Sequence, residues 1–530
     1  MIIKPKQVIE RKQFLKTQRT LWENHWQELG EFIQPNKAVI TVQRTQGDKM
    51  NTHLYDNTAI QSNELLAGAL HGLLTNPYTQ WFELTTGVPA LDSKDNVRKW
   101  LQDTARKMHN VLNDSNFQTE IHEYYLDLGC FGTGPLLMEE DEKSIVRFMA
   151  IFIGNIYVAE NDKGVIDEVQ REIHWPARLI IDHFGKDVIK SRKVQEAYAA
   201  NSDDKFCIIH HVYPNRGDRS GKLSNFDFIS HYILVEDESD ITVKGFDEMP
   251  FIIGRWSKTT DETYGRGPGM TALPEAKTIN KMTEMTLLAA AKIIDPPIAL
   301  PDNGYVLPLQ TGPSGVNYYR AGTQDEVKQI FNRDIRIDFG EALMEKHRQR
   351  IREAFFVDQL QLNVGPQMTA TEVNQRTDEK MRLLGPMLGR QDNELLSPMI
   401  TRLYKIMSKR GLLDAPPSDV KSFGVKYSST IARVQRQAEG DNILKTLNVV
   451  APLINLDPSC RHNIDCDQAV KMIAKIYGAP QEVLRDQDDV DKLKKAEADA
   501  QAAQVKNQQE LADAEKVNKI APAIPQQAQG

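Results

Sequence analysis

Between residues 275 and 361 two uninterrupted helical stretches frame a segment that cannot itself be helical, and this pattern constrains the fold more than any other. From Glu275 to Asp295 there is no glycine or proline, and Ile279, Met282, Met285, Leu288 and Ala291 trace one face. At 1.5 Å rise per residue such a helix is about 30 Å long. Asp295-Pro296-Pro297 stops it, because the residue before a proline is pushed out of the helical region. Residues 298–333, with Pro301, Pro308, Gly312, Pro313 and Gly315, read as loop and strand. A second helix is predicted over 338–361, with Leu343, His347, Ile351, Phe355 and Val357 near one face. The chain must therefore build a helical hairpin with an elaborate tip. That tip holds Tyr305, Val306, Leu307, Leu309, Val316, Tyr318 and Tyr319 in a span too short to bury them alone.

The flanking sequence supplies the rest of a multi-part α+β chain. Before the hairpin, helices are predicted over 7–33, 56–75, 93–113 and 116–129. On the first, Val8, Leu15, Trp22 and Leu29 recur every seven residues, and Trp26 and Phe32 widen the stripe, as expected of core or subunit contact. The period then changes to short β-branched and aromatic runs at 134–140, 145–153, 155–160, 165–173, 206–213, 228–236, 241–246 and 250–257, with short helices near 176–185 and 190–199. Antiparallel sheets follow from this pattern. After the hairpin, Asn363-Val364-Gly365-Pro366 breaks the chain, and Thr369-Ala370-Thr371-Glu372 matches a capping box that restarts a helix to about Arg410, with a kink expected near 385 at Gly385-Pro386. From 488 the sequence is rich in Ala, Gln, Lys and Asp; a helix over 496–514 and a frayed tail fit equally, with 521–530 expected to be disordered.

Charge and motifs narrow the chemistry. The 530 residues carry 65 Lys and Arg against 73 Asp and Glu, a net charge of −8, so the chain is not a generally basic nucleic-acid binder. No run of eighteen apolar residues predicts a membrane span, and the N-terminus lacks the apolar stretch of a secretory signal. Four cysteines, Cys130, Cys207, Cys460 and Cys466, form no CxxC pair, which fits reducing cytosol. Tyr264-Gly265-Arg266-Gly267-Pro268-Gly269 is a dense turn, but no Lys-Ser or Lys-Thr follows it; Gly217 to Gly221-Lys222-Leu223 has the wrong glycine spacing. Neither cradles a nucleotide. His210-His211 falls in a strand, where neighbours face opposite sides, so no shared metal is expected. Cys460, His462, Asp465, Cys466 and Asp467 match no common zinc spacing and read as a polar inter-helix loop. The expectation is no catalytic residue, no cofactor and no metal.

Several short stretches, in this order and spacing, resemble the head-to-tail connector, or portal, family of T7-like short-tailed bacteriophages. They are Leu54-Tyr55-Asp56-Asn57-Thr58-Ala59, Trp81-Phe82-Glu83-Leu84, Phe131-Gly132-Thr133-Gly134, Tyr264 through Gly269, Met368-Thr369-Ala370-Thr371-Glu372-Val373, and Tyr427 through Ala432-Arg433-Val434-Gln435-Arg436. The resemblance spans about residues 5–480. It implies a homo-oligomeric ring, usually of twelve subunits, at one capsid vertex of the virion, assembled in the host bacterial cytoplasm. It implies a subunit with an α+β wing (1–268), a first stem helix (269–295), a small α/β clip (296–335), a second stem helix (336–361), a tunnel loop (362–369), a kinked wing helix (370–410) and a helical crown (411–487), followed by the 488–530 tail.

By the same resemblance, double-stranded DNA passes the channel during packaging and ejection. The terminase large subunit and then a tail adaptor dock outside the capsid, and the major capsid protein and scaffold or internal core proteins contact the ring; no membrane is involved. Three sets of residues carry these roles as expectations. Asn363, Val364, Gly365, Pro366, Gln367 and Met368 form an uncharged tunnel loop. Lys346, Arg348, Arg350 and Arg352 are a basic run on the second long helix, spaced i,i+4 as 346/350 and 348/352; one reading is phosphate contact, the other a solvated face paired with Glu341, Glu345 and Glu353. Tyr305, Tyr318, Tyr319 and Arg320 form the clip's partner surface. The rival readings are another oligomeric virion protein, such as a tail adaptor or scaffold, and a nucleic-acid enzyme. The helix–clip–helix order disfavours the former and the missing nucleotide and metal motifs the latter.

Overall fold

A computed structural model describes residues 3–520 apart from 46, 51, 93, 217–222, 295–297, 300–317, 319–327, 330–336, 361–384, 419, 421–423, 428–439, 441–442, 453–464, 477–484 and 486. The numbered helices are α1 (Pro5–Ile33), α2 (Thr58–Leu74), α3 (Pro89–Asp92), α4 (Asp95–Asp114), α5 (Phe117–Phe131), α6 (Ala177–Phe184), α7 (Arg192–Ala199), α8 (Pro268–Ile294), α9 (Ile337–Ala354), α10 (Val357–Leu360), α11 (Ser397–Lys409), α12 (Cys466–Ile476) and α13 (Gln487–Ile520). The strands are β1 (Phe82–Thr85), β2 (Thr133–Asp141), β3 (Ile145–Ala150), β4 (Ile156–Glu160), β5 (Ile166–Pro176), β6 (Lys205–Pro214), β7 (Phe228–Leu234), β8 (Ser239–Phe246), β9 (Phe251–Arg255), β10 (Ile298–Ala299), β11 (Lys328–Gln329) and β12 (Gly424–Tyr427). The chain divides into two compact units, Met1–Trp81 with Arg106–Leu413, and Phe82–Ala105 with Asp414–Gly530. The α+β class expected from the sequence is what the chain adopts, and every named strand pairing is antiparallel.

The first unit holds a five-stranded sheet in the order β4-β5-β6-β7-β8 and a three-stranded sheet in the order β3-β2-β9. One face of the larger sheet is covered by α6 and α7 through Ile173, Ile180, Val194, Ile208 and Leu234. On the other, Ile209 and Ile233 pack against Val8 of α1. Pro5 opens α1 at its first position, where a missing N–H costs nothing, and Gln7 takes the Lys4 N–H at 3.3 Å. The seven-residue stripe becomes core at Val8, Leu15 and Leu29, with Trp26 wholly buried; Trp22 stays half-buried against Trp26 and Tyr264. Arg19 is buried as well. Its guanidinium donates to the carbonyl oxygens of Ile153, Gly154 and Ile156, pairs with Glu23, and lies 3.9 Å from the centre of the Tyr157 ring. A cation is tolerated there because its donors are met.

The glycine-rich turn at 264–269 is a backbone interlock. Gly132 caps α5 in the left-handed region, φ +75°, and a Cβ placed on it would come within 2.7 Å of three backbone atoms of residues 265–267. Trp256 N–H donates to Gly132 O at 2.9 Å, and Gly265 N–H to the Thr133 hydroxyl at 2.8 Å. Two of the short stretches quoted above therefore touch each other, and glycine is what lets them.

The helical hairpin forms, with different ends. α8 begins at Pro268 rather than near Glu275, and Pro274 lies inside it. Pro274 is the seventh residue, past the first turn, so the helix gives up one i→i−4 bond there, and burial of Ala272, Leu273 and Ala276 holds the helix through it. α9 runs antiparallel to α8, since Thr283 meets Met344 while Glu275 meets His347 and Arg350. β10 and β11 pair at the base of the tip. The predicted helix over 338–361 is broken: Phe356 adopts φ +58°, its ring against Trp256, and α10 starts at Val357. Residues 385–391 are helical, so the expected kink near 385 falls at the edge of the described residues. The described departure from α geometry is a π-helical turn at Asp392–Leu396, immediately before Pro398. There Gln391 donates to Arg255 O and accepts from the Tyr124 hydroxyl, each at 2.8 Å, and Glu394 grips the Arg255 guanidinium at 2.7 Å. Shifting the register before a proline relieves its clash with the preceding turn.

In the second unit β1 pairs with β12, Phe82 opposite Tyr427, joining two more of the short stretches. Asp92 accepts from the Thr86 N–H and hydroxyl at 2.8 and 2.7 Å, and Trp100 donates its ring N–H to Asp414 O at 3.0 Å. Asp465 caps α12 by accepting from the N–H groups of Asp467 and Gln468, the polar inter-helix role expected of it, while Cys460 and His462 lie outside the described residues. The tail is helical to Ile520.

Candidate nucleic-acid interface

The basic run lies on α9 beside α8 and the start of α2. Arg348 Nε donates to Asp56 Oδ2 at 3.1 Å and its terminal nitrogen lies 3.4 Å from Glu345. Arg350 reaches Glu275 on α8 at 3.3 Å, and Arg352 reaches Glu345 at 3.0 Å. His347 also hydrogen-bonds Glu275, and this bond, ahead of the Arg350 charge, holds the Glu275 carboxyl below its usual range. Lys346 is exposed and has no ion-pair partner among the described residues. Of the acids expected to pair with this run, Glu345 does and Glu353 accepts instead from Gln349. Asp56 and Glu275 do the rest, and sequence reasoning missed both. Their signal was present: Asp56 belongs to the Leu54–Ala59 stretch, and Glu275 opens the glycine- and proline-free run.

Asn280 of α8 explains why that stretch is placed here. It is buried, accepts from Tyr55 N–H at 2.6 Å and donates to His53 O at 2.8 Å, fixing residues 53–56 against the hairpin. Asp56 also accepts from the Thr58 N–H at 2.9 Å, at the start of α2. A hollow of about 890 Å³ opens beside it, lined by Asp48, Lys49, Met50, Tyr55 and Asn57 among others. Chemically this is a helix face with three neutralised cations and one open one.

Of the other predicted residues, Tyr318 is 72% exposed. Tyr305, Tyr319, Arg320 and the loop Asn363, Val364, Gly365, Pro366, Gln367 and Met368 lie outside the described residues, as does the Met368–Val373 stretch. His210 and His211 point to opposite faces, His210 to Ser230 at 2.9 Å and His211 to Glu168 at 3.1 Å. No described helix is long and apolar enough to cross a membrane.

Fold and site together define a structural subunit: an antiparallel α+β body carrying a strut of two paired helices. The chain belongs to the family of bacteriophage head to tail connecting proteins, which matches residues 5–484. That membership gives it the portal function. It is 28% identical over 509 residues to the portal protein of Salmonella phage epsilon15, covering 92% of this chain and 90% of the relative. It is 27% identical over 507 residues to the probable portal protein of Bordetella phage BPP-1, with the same coverage of 92% and 90%. Among solved structures it is similar to a chain in the virion of a native gene transfer agent particle, at 12% identity and a TM-score of 0.36, over 75% of this chain and 90% of that one. A chain in the neck of the native particle gives 12% identity and a TM-score of 0.33, over 73% and 85%.

Proposed function

We propose that copies of this chain close into a ring, of twelve subunits as in the family pattern, at one vertex of a phage capsid. The observation that carries this is the family match across residues 5–484, nearly the whole chain. In this reading residues 1–268 with 370–410 form the wing, α8 and α9 lie in the stem (269–295 and 336–361), 296–335 the clip, 362–369 the tunnel loop, and 411–487 the crown below the helical tail. The ring is the channel for double-stranded DNA and has no catalytic activity of its own; a separate motor supplies the work. The terminase large subunit and then the tail adaptor take turns on the clip, where Tyr318 is exposed. Capsid and scaffold or core proteins meet the wing and crown, and assembly precedes packaging in the host cytoplasm.

A physical observation supports the ring. The second half of α8 leaves Met285, Leu287, Leu288, Ile293 and Ile294 between 49% and 84% exposed, with Leu343 of α9 38% exposed. So many large apolar side chains on one strut are unfavourable in a lone chain and are covered when struts stand side by side around an axis. Negative-stain images of the purified protein test the reading: rings with a central hole are expected, and compact monomers at all concentrations overturn it. Pull-downs with rings carrying Tyr318→Ala and Tyr319→Ala test the clip; intact rings that still bind both partners normally overturn the docking assignment.

A further inference from the structure

We propose that Glu172, His174 and Cys207 form a site for one soft divalent cation, Zn²⁺ by its ligand chemistry, across the β5–β6 ribbon. Strand register brings the three together. His174 stands directly opposite Cys207, and Glu172 is two residues before His174, on the same face of β5. One ligand atom from each lies within 4.8 Å of the others. Glu172 Oε1 is 3.5 Å from Cys207 Sγ and 3.7 Å from His174 Nε2. A tetrahedral zinc ion with about 2.3 Å to sulfur and 2.0–2.1 Å to nitrogen and oxygen spaces its ligand atoms by about 3.3–3.6 Å. The two edges from Glu172 Oε1, to sulfur and to imidazole, are already close to those of that tetrahedron.

The surroundings are those of a held ligand set. The second carboxylate oxygen, Glu172 Oε2, is taken by Lys12 Nζ of α1 at 2.7 Å and by the Tyr157 hydroxyl at 3.3 Å. This leaves Oε1 as the oxygen turned toward sulfur and imidazole, the kind of outer contact that orients a metal ligand. Cys207 N–H donates to Glu236 Oε1 at 2.7 Å, adding a negative charge beside the thiol. Alternate residues Ile173, Phe206 and Ile208 are buried in the core on the opposite face, so the strands carrying the ligands are fixed. His174 is exposed, which gives the ion an entry path and leaves a fourth position for water.

Without metal, the Cys207 thiol donates its proton to Glu172 Oε1 at 3.5 Å. Binding replaces that proton: an S–metal bond forms, the S–H bond breaks, and the proton leaves to solvent with no change of oxidation state.

The test uses the full-length protein, stripped with chelator and titrated with Co²⁺ and then Zn²⁺. One Co²⁺ per chain with a near-ultraviolet thiolate-to-cobalt band, displaced by Zn²⁺, is expected. Cys207→Ser should abolish the band. His174→Ala, an exposed change that leaves the fold intact by circular dichroism, should weaken Zn²⁺ binding at least about tenfold, and Lys12→Met should change it by about 10–100-fold as a loss of second-layer support. Absence of stoichiometric cobalt, a band that survives Cys207→Ser through another thiol, or equal Zn²⁺ affinity in wild type and His174→Ala each overturns the site.

Discussion

Arg348 and Asp56, 292 positions apart, meet at 3.1 Å where the second long helix crosses the start of α2. The Asp56 side chain is only 7% exposed and its other oxygen receives the Thr58 N–H. A carboxylate so placed needs its cation, whereas Glu345, at 57% exposure, does not need Arg352.

The first prediction follows from that contrast. Arg348→Ala should destabilise the chain by about 2–3 kcal/mol, and a double-mutant cycle with Asp56→Asn should return a coupling of about 1–2 kcal/mol. Arg352→Ala should stay within about 0.5 kcal/mol. Urea denaturation of the four variants decides it; equal small effects at both arginines would make Arg348 an ordinary surface charge.

Gly132→Ala should be among the most damaging single changes. The added methyl meets three backbone atoms, which cannot swing aside as a side chain can, and the residue must also hold φ +75°. A loss of about 3 kcal/mol or more is expected, seen as insoluble or protease-sensitive protein. Gly68→Ala on α2, where a Cβ meets nothing within 4 Å, is the control and should be neutral or slightly stabilising.

The Glu168 carboxyl gives a pH-dependent prediction. Burial pushes it up, but hydrogen bonds from His211 and from Arg11 outweigh this and bring it down to about 2. Arg11 grips both oxygens, at 3.0 and 2.7 Å, and supplies the charge. His211 is itself pushed down by burial, so it is neutral near pH 7 and acts as an N–H donor. An unpaired glutamate titrates near 4.5, so the contact's contribution is fully present above that pH, declines as pH falls, and is gone near pH 2. Glu168→Gln should cost about 1–2 kcal/mol at pH 7 and almost nothing near pH 2, the pair being partly open to solvent. An equal cost at both pH values, in matched denaturation curves, would contradict this.

Periodicity made most elements legible in the sequence: α1, α2, α5 and the eight strands β2–β9 fall within a few residues of their predicted spans. What was not legible is what links distant segments. Arg19 falls in line with Leu15, Trp22 and Trp26, yet nothing in the sequence shows what lets a cation sit there: three carbonyls of a remote turn accept from it. The glycine- and proline-free run from Glu275 marks only part of α8, whose first turns at Pro268–Pro274 are held by burial, close to the 269 start that the connector resemblance implied. His174 and Cys207 lie 33 positions apart, so no linear spacing rule pairs them; only strand register does. The short connector-like stretches were visible as letters, but that 131–134 locks onto 264–269, and 82–85 onto 424–427, required the fold.

The last prediction concerns DNA. The chain carries a net charge of −8, and on the α9 face Arg348, Arg350 and Arg352 are each paired with an acid. A paired guanidinium releases little counterion when phosphate approaches, so this face presents Lys346 as its open cation. Non-specific binding with few phosphate contacts falls at about 10⁻⁴–10⁻⁶ M near physiological salt, and each contact contributes about −0.9 to the slope of log K against log salt. Assembled rings should therefore bind duplex DNA weakly, without sequence preference, and with a shallow salt slope. Lys346→Glu should flatten that slope further while rings stay intact, and Arg350→Ala should change it less than Lys346→Glu does. Weak holding suits a channel through which DNA must slide in both directions, since every tight phosphate contact would have to be broken at each step. Fluorescence anisotropy with two unrelated duplexes across a salt series measures all of this. A steep salt slope, or binding that favours one duplex, would show that the pairing of these arginines with Asp56, Glu275 and Glu345 does not govern how the ring meets its DNA.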